Sequence, residues 1–140
     1  MPRADFYLIA KPRFLEDPLL LVCELALKAF EQGQPTLILV RSEAEAEALD
    51  EKLWEFKDDA FVPHQIAGDE GDAATAVLIV PPGIETAQRA LVINLRDEIA
   101  PGSYERVIEV VPADNAAREG SRLRWKAYAA LRYALTKHDM

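Results

Sequence analysis

The sequence is poor in the residues that build disulfide or metal-bound frameworks. It has one cysteine, Cys23, and two histidines, His64 and His138, among 140 residues. One thiol cannot form an internal disulfide, and so few thiol and imidazole groups cannot supply the ligands of a structural zinc site. We therefore expect no disulfide and no bound metal. Cys23 lies in an apolar helical segment, where burial explains it better than a role as nucleophile.

Long apolar runs are also absent. No stretch approaches the roughly 20 residues that span a bilayer, and the N-terminal segment lacks the apolar region and cleavage site of a signal peptide. Half of the residues are nevertheless hydrophobic, which suffices for one core in a chain of this length. We expect a single cytoplasmic domain over residues 1–140, without membrane association.

Glycine is missing where nucleotide-binding folds need it. The segment after the first predicted strand reads AKPRFLEDP, so no glycine lets backbone amides approach a pyrophosphate there. Gly68 and Gly71 lie in the acidic loop GDEGDAA, which would repel phosphate. No nucleophile stands at a triad spacing from His64, for which a structural hydrogen-bonding role is the better interpretation. We expect no cofactor and no catalysis by the isolated chain; a Rossmann-like nucleotide-dependent enzyme is the least favoured alternative.

The apolar pattern predicts an α/β fold. Strands are predicted at 5–10, 35–40, 76–80, 91–95 and 106–111, with a short strand or loop at 61–63, and helices at 19–32, 42–56 and 114–137. Several strands are apolar throughout, which is typical of strands covered on both faces. Ser42 and Glu45 have the spacing of a capping box. Alternating strands and helices predict one domain with a mostly parallel, Rossmann-like central sheet and helices on both faces.

Charge is unevenly distributed along the chain. The net charge is −8, which argues against a protein whose whole surface follows a phosphate backbone. Within residues 113–137, however, six basic residues outnumber two acidic ones. An acidic protein with one basic helix suggests a local site for an anionic partner. The alternative is a nucleic-acid-binding protein that uses this helix directly.

A tryptophan lies on the basic side of the last predicted helix. At 100° per residue, the apolar stripe that should face the core consists of Leu123, Ala127, Ala130, Leu131 and Ala134. Trp125 falls on the other side, near Arg118, Arg122 and Lys126. It either packs under a neighbouring loop or forms the floor of a cationic pocket. Such a pocket would suit a peptide with an aromatic last residue and a free carboxylate, since arginine grips carboxylates bidentately.

Two more aromatic residues, Trp54 and Phe61, are predicted near the border of the buried surface. Trp54 falls about 140° from Leu49 on the helical wheel, and Phe61 lies in a segment too short to bury itself. Large aromatic side chains at an exposed edge are common interface anchors. The spacing alone leaves core packing and partner binding equally open.

Five segments in order, FYL, LVCELA, LDEKLWEF, DDAFVPHQIAGDE and SRLRWKAY, give the chain a resemblance to the chi subunit of bacterial DNA polymerase III. The resemblance extends over nearly the whole chain. It implies a non-catalytic α/β domain in the clamp-loader part of the polymerase holoenzyme. It also implies two docking surfaces, one for the psi subunit or a competing repair helicase, and one for the acidic C-terminal tail of single-stranded-DNA-binding protein.

The resemblance also assigns residues to these surfaces. The tail-binding surface corresponds to Val111, Arg118, Arg122, Trp125 and Lys126, and the psi-facing surface to Trp54 and Phe61. Arginine replaces the commoner lysine at 118 and tryptophan the commoner tyrosine at 125, so charge and aromaticity are kept. The chain is expected to be a monomer within a hetero-complex and to reach DNA only through its partners.

Overall fold

The computed structural model, which describes residues 1–140, is built around one seven-stranded sheet. The strands are β1 (Arg3–Leu8), β2 (Thr36–Leu39), β3 (His64–Ile66), β4 (Val77–Val80), β5 (Leu91–Asn94), β6 (Arg106–Val111) and β7 (Ala134–Asp139). They lie in the order β3-β4-β2-β5-β6-β1-β7, and every neighbouring pair is parallel. The prediction of a parallel, Rossmann-like α/β sheet is confirmed. The short strand predicted at 61–63 begins slightly later, at His64.

Four α-helices connect the strands: α1 (Pro12–Glu16), α2 (Pro18–Glu31), α3 (Glu43–Glu55) and α4 (Asn115–Ala130). Proline begins both α1 and α2, because its fixed φ and missing N–H suit the first turn of a helix. The Ser42 hydroxyl accepts a hydrogen bond from the Glu45 N–H at 3.0 Å, as the capping pattern predicted. Asp114 caps α4 in the same way, through the Ala117 N–H at 2.7 Å. None of these helices combines the length and apolar character needed to cross a membrane.

The sheet separates two apolar layers. The larger layer lies under α1, α2 and α3 and contains Phe14, Leu21 and Leu49. The other lies under α4 and the loops after β4 and β5, and includes Phe6 and Tyr128. All residues of β2, β4 and β5 are buried, because both faces of these central strands are covered.

The last predicted helix ends at Ala130, not at Lys137. Arg132 adopts a left-handed backbone with φ of 67°, and the Tyr133 N–H donates to the Tyr128 carbonyl at 3.1 Å, as at many helix C-termini. The chain then runs parallel to β1 from Arg3↔Ala134 to Leu8↔Asp139. Pairing with β1 supplies a ladder of hydrogen bonds that residues 134–139 cannot obtain alone, and it outweighs their modest helix propensity.

The predicted apolar stripe of α4 was also wrong. Leu123 and Leu131 are 69% and 55% exposed, and the buried face instead carries Ser121, Arg124 and Tyr128. This face is turned inward because Arg124 meets a buried carboxylate on β6. A polar interaction, invisible in a hydrophobicity pattern, therefore sets the rotation of α4.

Candidate functional site

A cavity of about 470 Å³ opens between α4 and the strands β1 and β7. Its lining residues are Phe6, Leu8, Arg118, Ser121, Arg122, Trp125, Lys126 and Lys137. Strand β1 supplies the first two, α4 the next five, and β7 the last. The two ends of the chain meet here because Phe6 lies opposite Lys137 in the parallel β1–β7 register. We call this cavity the cationic pocket.

The apolar part of the cationic pocket is built around Trp125. Its ring meets Phe6 edge-on, with ring centroids 5.1 Å apart and an interplanar angle of 61°. Phe6 is almost fully buried and also contacts Tyr128. Trp125 is half-buried, so one side of the indole is fixed against β1 while the rest lines the pocket. It therefore packs against a strand, not under a loop, and still offers an apolar surface.

The rim of the cationic pocket carries four basic side chains, Arg118, Arg122, Lys126 and Lys137. No carboxylate oxygen lies within 4.0 Å of the charged nitrogens of these four side chains, so none of them forms an ion pair. Arg118 donates to the carbonyls of Ile9 at 2.9 Å and Pro112 at 3.3 Å, so its guanidinium is held in place without being neutralised. Unpaired cations around an apolar floor favour an anionic ligand.

A buried polar network fixes α4 against β6. Glu109 is fully buried, and its carboxylate accepts hydrogen bonds from Arg124 Nε at 2.9 Å, Asn94 Nδ2 at 2.7 Å and the Tyr128 hydroxyl at 2.8 Å. Burial raises the pKa of Glu109, which the charge of Arg124 and these hydrogen bonds partly offset. The Tyr128 hydroxyl also accepts from the Ala100 N–H at 3.0 Å. Because Arg124 is held inward, the adjacent residues of α4, such as Arg122, Trp125 and Lys126, face the cationic pocket.

The structure brings together four of the five residues predicted for the tail-binding surface, namely Arg118, Arg122, Trp125 and Lys126. Val111 differs, because its side chain is 0% exposed. It belongs to the buried layer against which Leu8 and Trp125 pack. Val111 therefore lies beneath the pocket and is not exposed to it in this structure.

Four pocket residues were not among the predicted site residues: Phe6, Leu8, Ser121 and Lys137. The first two read as ordinary strand residues, and Lys137 was placed in a helix. Tyr133 and Thr136 favour strands and were the only local signal for β7. Glu109 was missed as well, because its hydrogen-bond partners lie on β5 and α4 and its own strand gives no sign of them.

Trp54 and Phe61 form a second, separate surface. Their ring centroids lie 5.4 Å apart, and the residues are 59% and 58% exposed. His64 supports them, with its ring 5.0 Å from Trp54 and its side chain fully buried. The His64 Nδ1 and Nε2 atoms lie 2.6 Å and 3.1 Å from the carbonyls of Val62 and Asp50, which is the structural role that the sequence indicated. We call Trp54 and Phe61 the aromatic pair.

The surroundings of the aromatic pair are acidic. Residues 43–59 hold eight acidic side chains and two lysines, most of them on the outer side of α3. This surface is therefore opposite in charge to the cationic pocket.

The crevice at the carboxyl ends of β5 and β6 is where many α/β folds bind ligands. It has a volume of about 390 Å³ and contains three basic residues and three acidic ones: Arg41, Arg96, Arg124, Glu45, Asp97 and Asp114. Arg96 donates to the carbonyls of Val40 and Val80, both at 2.9 Å. Its guanidinium therefore serves to join strand ends, and the charges of this crevice balance.

Comparison with known proteins gives a consistent result. Residues 1–136 match the family described as DNA polymerase III chi subunit, HolC. DNA polymerase III subunit chi of Pseudomonas aeruginosa is 37% identical over 147 residues, covering 100% of this chain and 98% of that protein. The chi subunits of Haemophilus influenzae and Escherichia coli are 36% and 33% identical, over 76% and 77% of this chain and 76% of each relative.

Among solved structures, two of the C-terminal domain of Dbp5 are similar, both with a TM-score of 0.63. One is the domain of the DEAD-box protein alone, 14% identical over 99% of this chain and 90% of that one. The other is the S. cerevisiae domain bound to Gle1 and IP6, 16% identical over 98% and 90%. Identities this low show a shared fold only. The sequence similarity reaches further, and because it extends along the whole chain, this protein belongs to the family of DNA polymerase III chi subunits.

Proposed function

We propose that this protein is a non-catalytic adaptor that docks the acidic C-terminal tail of single-stranded-DNA-binding protein in the cationic pocket. Membership of the chi family gives the coarser role, an accessory subunit of DNA polymerase III in replication. The observation that carries the finer role is the pocket, where a half-buried tryptophan is surrounded by four basic side chains without carboxylate partners. In this proposal the chain works in the cytoplasm within a hetero-complex and reaches DNA through its partners.

The size and chemistry of the pocket fit the end of such a tail. A volume of about 470 Å³ lies in the range of small-ligand sites, about 300–1,000 Å³, and accommodates one aromatic residue. Its ring packs beside Trp125, which gains about 0.5–1.5 kcal/mol beyond the area buried. Its carboxylate meets Arg122, and the acidic residues before it lie near Lys126 and Lys137. Hydrogen bonds to charged groups contribute about 1.5–3 kcal/mol each.

Titration calorimetry with an acidic peptide that ends in phenylalanine tests this proposal. Arg122→Ala should weaken binding by about 1.5–3 kcal/mol, roughly 10- to 150-fold, because a charge-assisted contact is lost. Affinity should also fall as ionic strength rises, without vanishing, since the ring is buried.

The control is Arg13→Ala, which removes the same charge from α1, outside the pocket, and should leave affinity unchanged. A peptide without its last residue should bind far more weakly. Equal affinity for the two peptides, or normal binding by Arg122→Ala, would show that the tail binds elsewhere.

Direct nucleic-acid binding is the second candidate for the cationic pocket. The observation that favours it is the same set of unpaired cations, which would also bind phosphate, and a base could stack on Trp125. The two candidates separate in one competition experiment. An oligonucleotide that binds more tightly than the peptide, and displaces it, would favour nucleic acid; a peptide that binds without DNA and resists displacement favours the adaptor.

The aromatic pair is proposed as the docking surface for the psi subunit or a repair helicase. Its support is the pairing of Trp54 and Phe61 in space while both remain more than half exposed. Large aromatic side chains of this kind are frequent energetic centres of interfaces. Because the surrounding surface is acidic, the partner is expected to present an apolar recess with basic residues around it.

Trp54→Ala and Phe61→Ala should each weaken binding of purified psi or helicase by about 1–3 kcal/mol. The thermal stability of the isolated chain should change little, since both side chains are exposed. Leu131→Ala is the matched control, because Leu131 is 55% exposed on a different surface. Unfolding of either variant, or unchanged affinity for both partners, would remove the aromatic pair from the interface.

A further inference from the structure

Strand β7 is an edge strand, because it pairs with β1 alone. The N–H groups of Ala134 and Met140 donate to the carbonyls of Pro2 and Leu8 at 2.9 Å and 2.8 Å. Backbone groups alternate in direction along a strand of a parallel ladder. The N–H and C=O groups of the residues between them, Leu135, Lys137 and Asp139, therefore point away from the sheet. This edge offers a row of donors and acceptors to another strand.

The free edge of β7 is continuous with the cationic pocket. Lys137 lies in both, since its side chain lines the pocket while its backbone faces outward. Leu135, which lies two residues earlier on the same face of β7, packs against the same buried layer as Trp125. A peptide that leaves the pocket across Lys137 therefore meets the free backbone within one residue.

We infer that this edge binds the acidic segment preceding the pocket-bound residue as an eighth strand of the sheet. The inference rests on the proposed function and extends its binding site from one residue to a stretch of backbone. Charge complementarity supports the occupant, because the exposed residues Arg132 and Lys137 outnumber Asp139 at this edge and neither takes part in an ion pair. Added strands gain affinity through main-chain hydrogen bonds, with specificity from alternate side chains.

The other edge of the sheet does not suit the same peptide. Strand β3 has three residues and is followed by the acidic loop that contains Asp69, Glu70 and Asp72. A second copy of this chain is also a poor occupant of β7, because each copy carries a net charge of −8 and two such edges would bring Lys137 against Lys137.

The test compares Lys137→Pro with Lys137→Ala in titrations of a short and a long acidic peptide, both ending in phenylalanine. A peptide of about four residues fills the pocket, whereas one of about ten also spans β7 at roughly 3.3 Å per residue. Wild-type protein should bind the long peptide more tightly. Both variants lose the lysine charge, but only proline removes the outward N–H, and proline is tolerated at such edge positions. Lys137→Pro should therefore bind the long peptide about tenfold more weakly than Lys137→Ala, and the short peptide equally.

A second measurement leaves the protein unchanged and so does not depend on the folding of a variant. Methylating single backbone nitrogens of the long peptide should weaken binding at every other position, because alternate N–H groups face β7. Equal affinity of the two variants for the long peptide, together with no alternation, would overturn the added strand. So would a dimer of the wild-type chain in solution that Lys137→Pro dissociates. If neither peptide binds wild-type protein, the proposed function itself is wrong. If Arg122→Ala weakens binding of both peptides but the proline and methylation tests are negative, the proposed function stands and only the added strand is refuted.

Discussion

Replacing Glu109 with leucine tests whether the buried network holds α4 on the sheet. The Glu109 side chain is fully buried and receives hydrogen bonds from Arg124, Asn94 and Tyr128. Leucine has a similar bulk but accepts no hydrogen bond. The Arg124 side chain, which is 10% exposed, would then keep its positive charge inside the protein without a counter-ion, since arginine does not release a proton.

The decrease in the free energy of unfolding depends on the hydrogen bonds that Arg124 keeps. Removing one partner of a buried ion pair costs about 3–5 kcal/mol. Arg124 would keep its 3.0 Å hydrogen bond to the Asp97 carbonyl, so we expect Glu109→Leu to lower the free energy of unfolding by about 3 kcal/mol. Replacing both residues with leucine removes both charges and should cost less than about 1.5 kcal/mol, because apolar replacements of buried pairs are often neutral.

Arg124→Leu alone should behave differently with pH. It leaves Glu109 buried without its cation, and burial raises the pKa of this carboxyl group, so the side chain can become neutral by taking up a proton. A carboxyl group whose pKa is raised in the folded state favours folding at low pH and disfavours it as the pH rises through that pKa. The variant should therefore be more stable relative to wild type at pH 5 than at pH 8.

Urea unfolding of wild-type protein, the two single variants and the double variant forms a complete double-mutant cycle. The peptide of the proposed function should also bind more weakly to Glu109→Leu, since Arg122 and Trp125 lie on the helix that the network fixes. A single-variant loss below about 1 kcal/mol, or a double variant whose loss equals the sum of the two single losses, would refute the role of the network.

Two further predictions concern buried titratable groups. Burial by itself would raise the pKa of Asp5, but hydrogen bonds from Arg106 Nε at 2.7 Å and His138 Nε2 at 3.2 Å bring it below its ordinary value. The ionised Asp5 carboxylate therefore stabilises the fold above about pH 4, and this stabilisation is lost as the pH falls through the lowered pKa. Asp5→Asn should lower the free energy of unfolding by about 1–3 kcal/mol at pH 7 and by less toward pH 3. A loss of stability that is the same at every pH in urea unfolding would contradict this. Burial raises the pKa of Cys23 to about 12, so an alkylating reagent at pH 8 should modify this thiol only after the protein unfolds. Mass spectrometry measures the labelling, and rapid labelling of the native protein would contradict the burial of Cys23.

Local patterns in the sequence were sufficient for most of the fold. The central strands were predicted because β2, β4 and β5 are apolar at nearly every position, and burial on both faces selects such runs. The start of α3 was predicted from Ser42, because its hydroxyl satisfies a backbone N–H of the first turn. The cap of α3 joins residues that are close in the chain, and the burial of the central strands depends only on the average hydrophobicity of each segment.

The C-terminal segment shows where local patterns stop being sufficient. Residues 131–137 were predicted to be helical, yet β7 forms because β1, more than 120 residues earlier, offers a free edge. The rotation of α4 was wrong for a related reason. Arg124 points inward because it binds the buried Glu109 carboxylate. The sequence does not show that a charged residue on a helix has a buried partner on a distant strand.

The candidate sites divide in the same way. Helical spacing was enough to group four residues of α4, since Arg118, Arg122, Trp125 and Lys126 are spaced to share a helix side. Only the folded chain shows that these residues form a pocket, which Phe6 and Lys137 complete and beneath which Val111 is buried. The physical reason is that a cavity needs walls from several elements, and the pairing of β1 with β7 brings together groups from opposite ends of the chain.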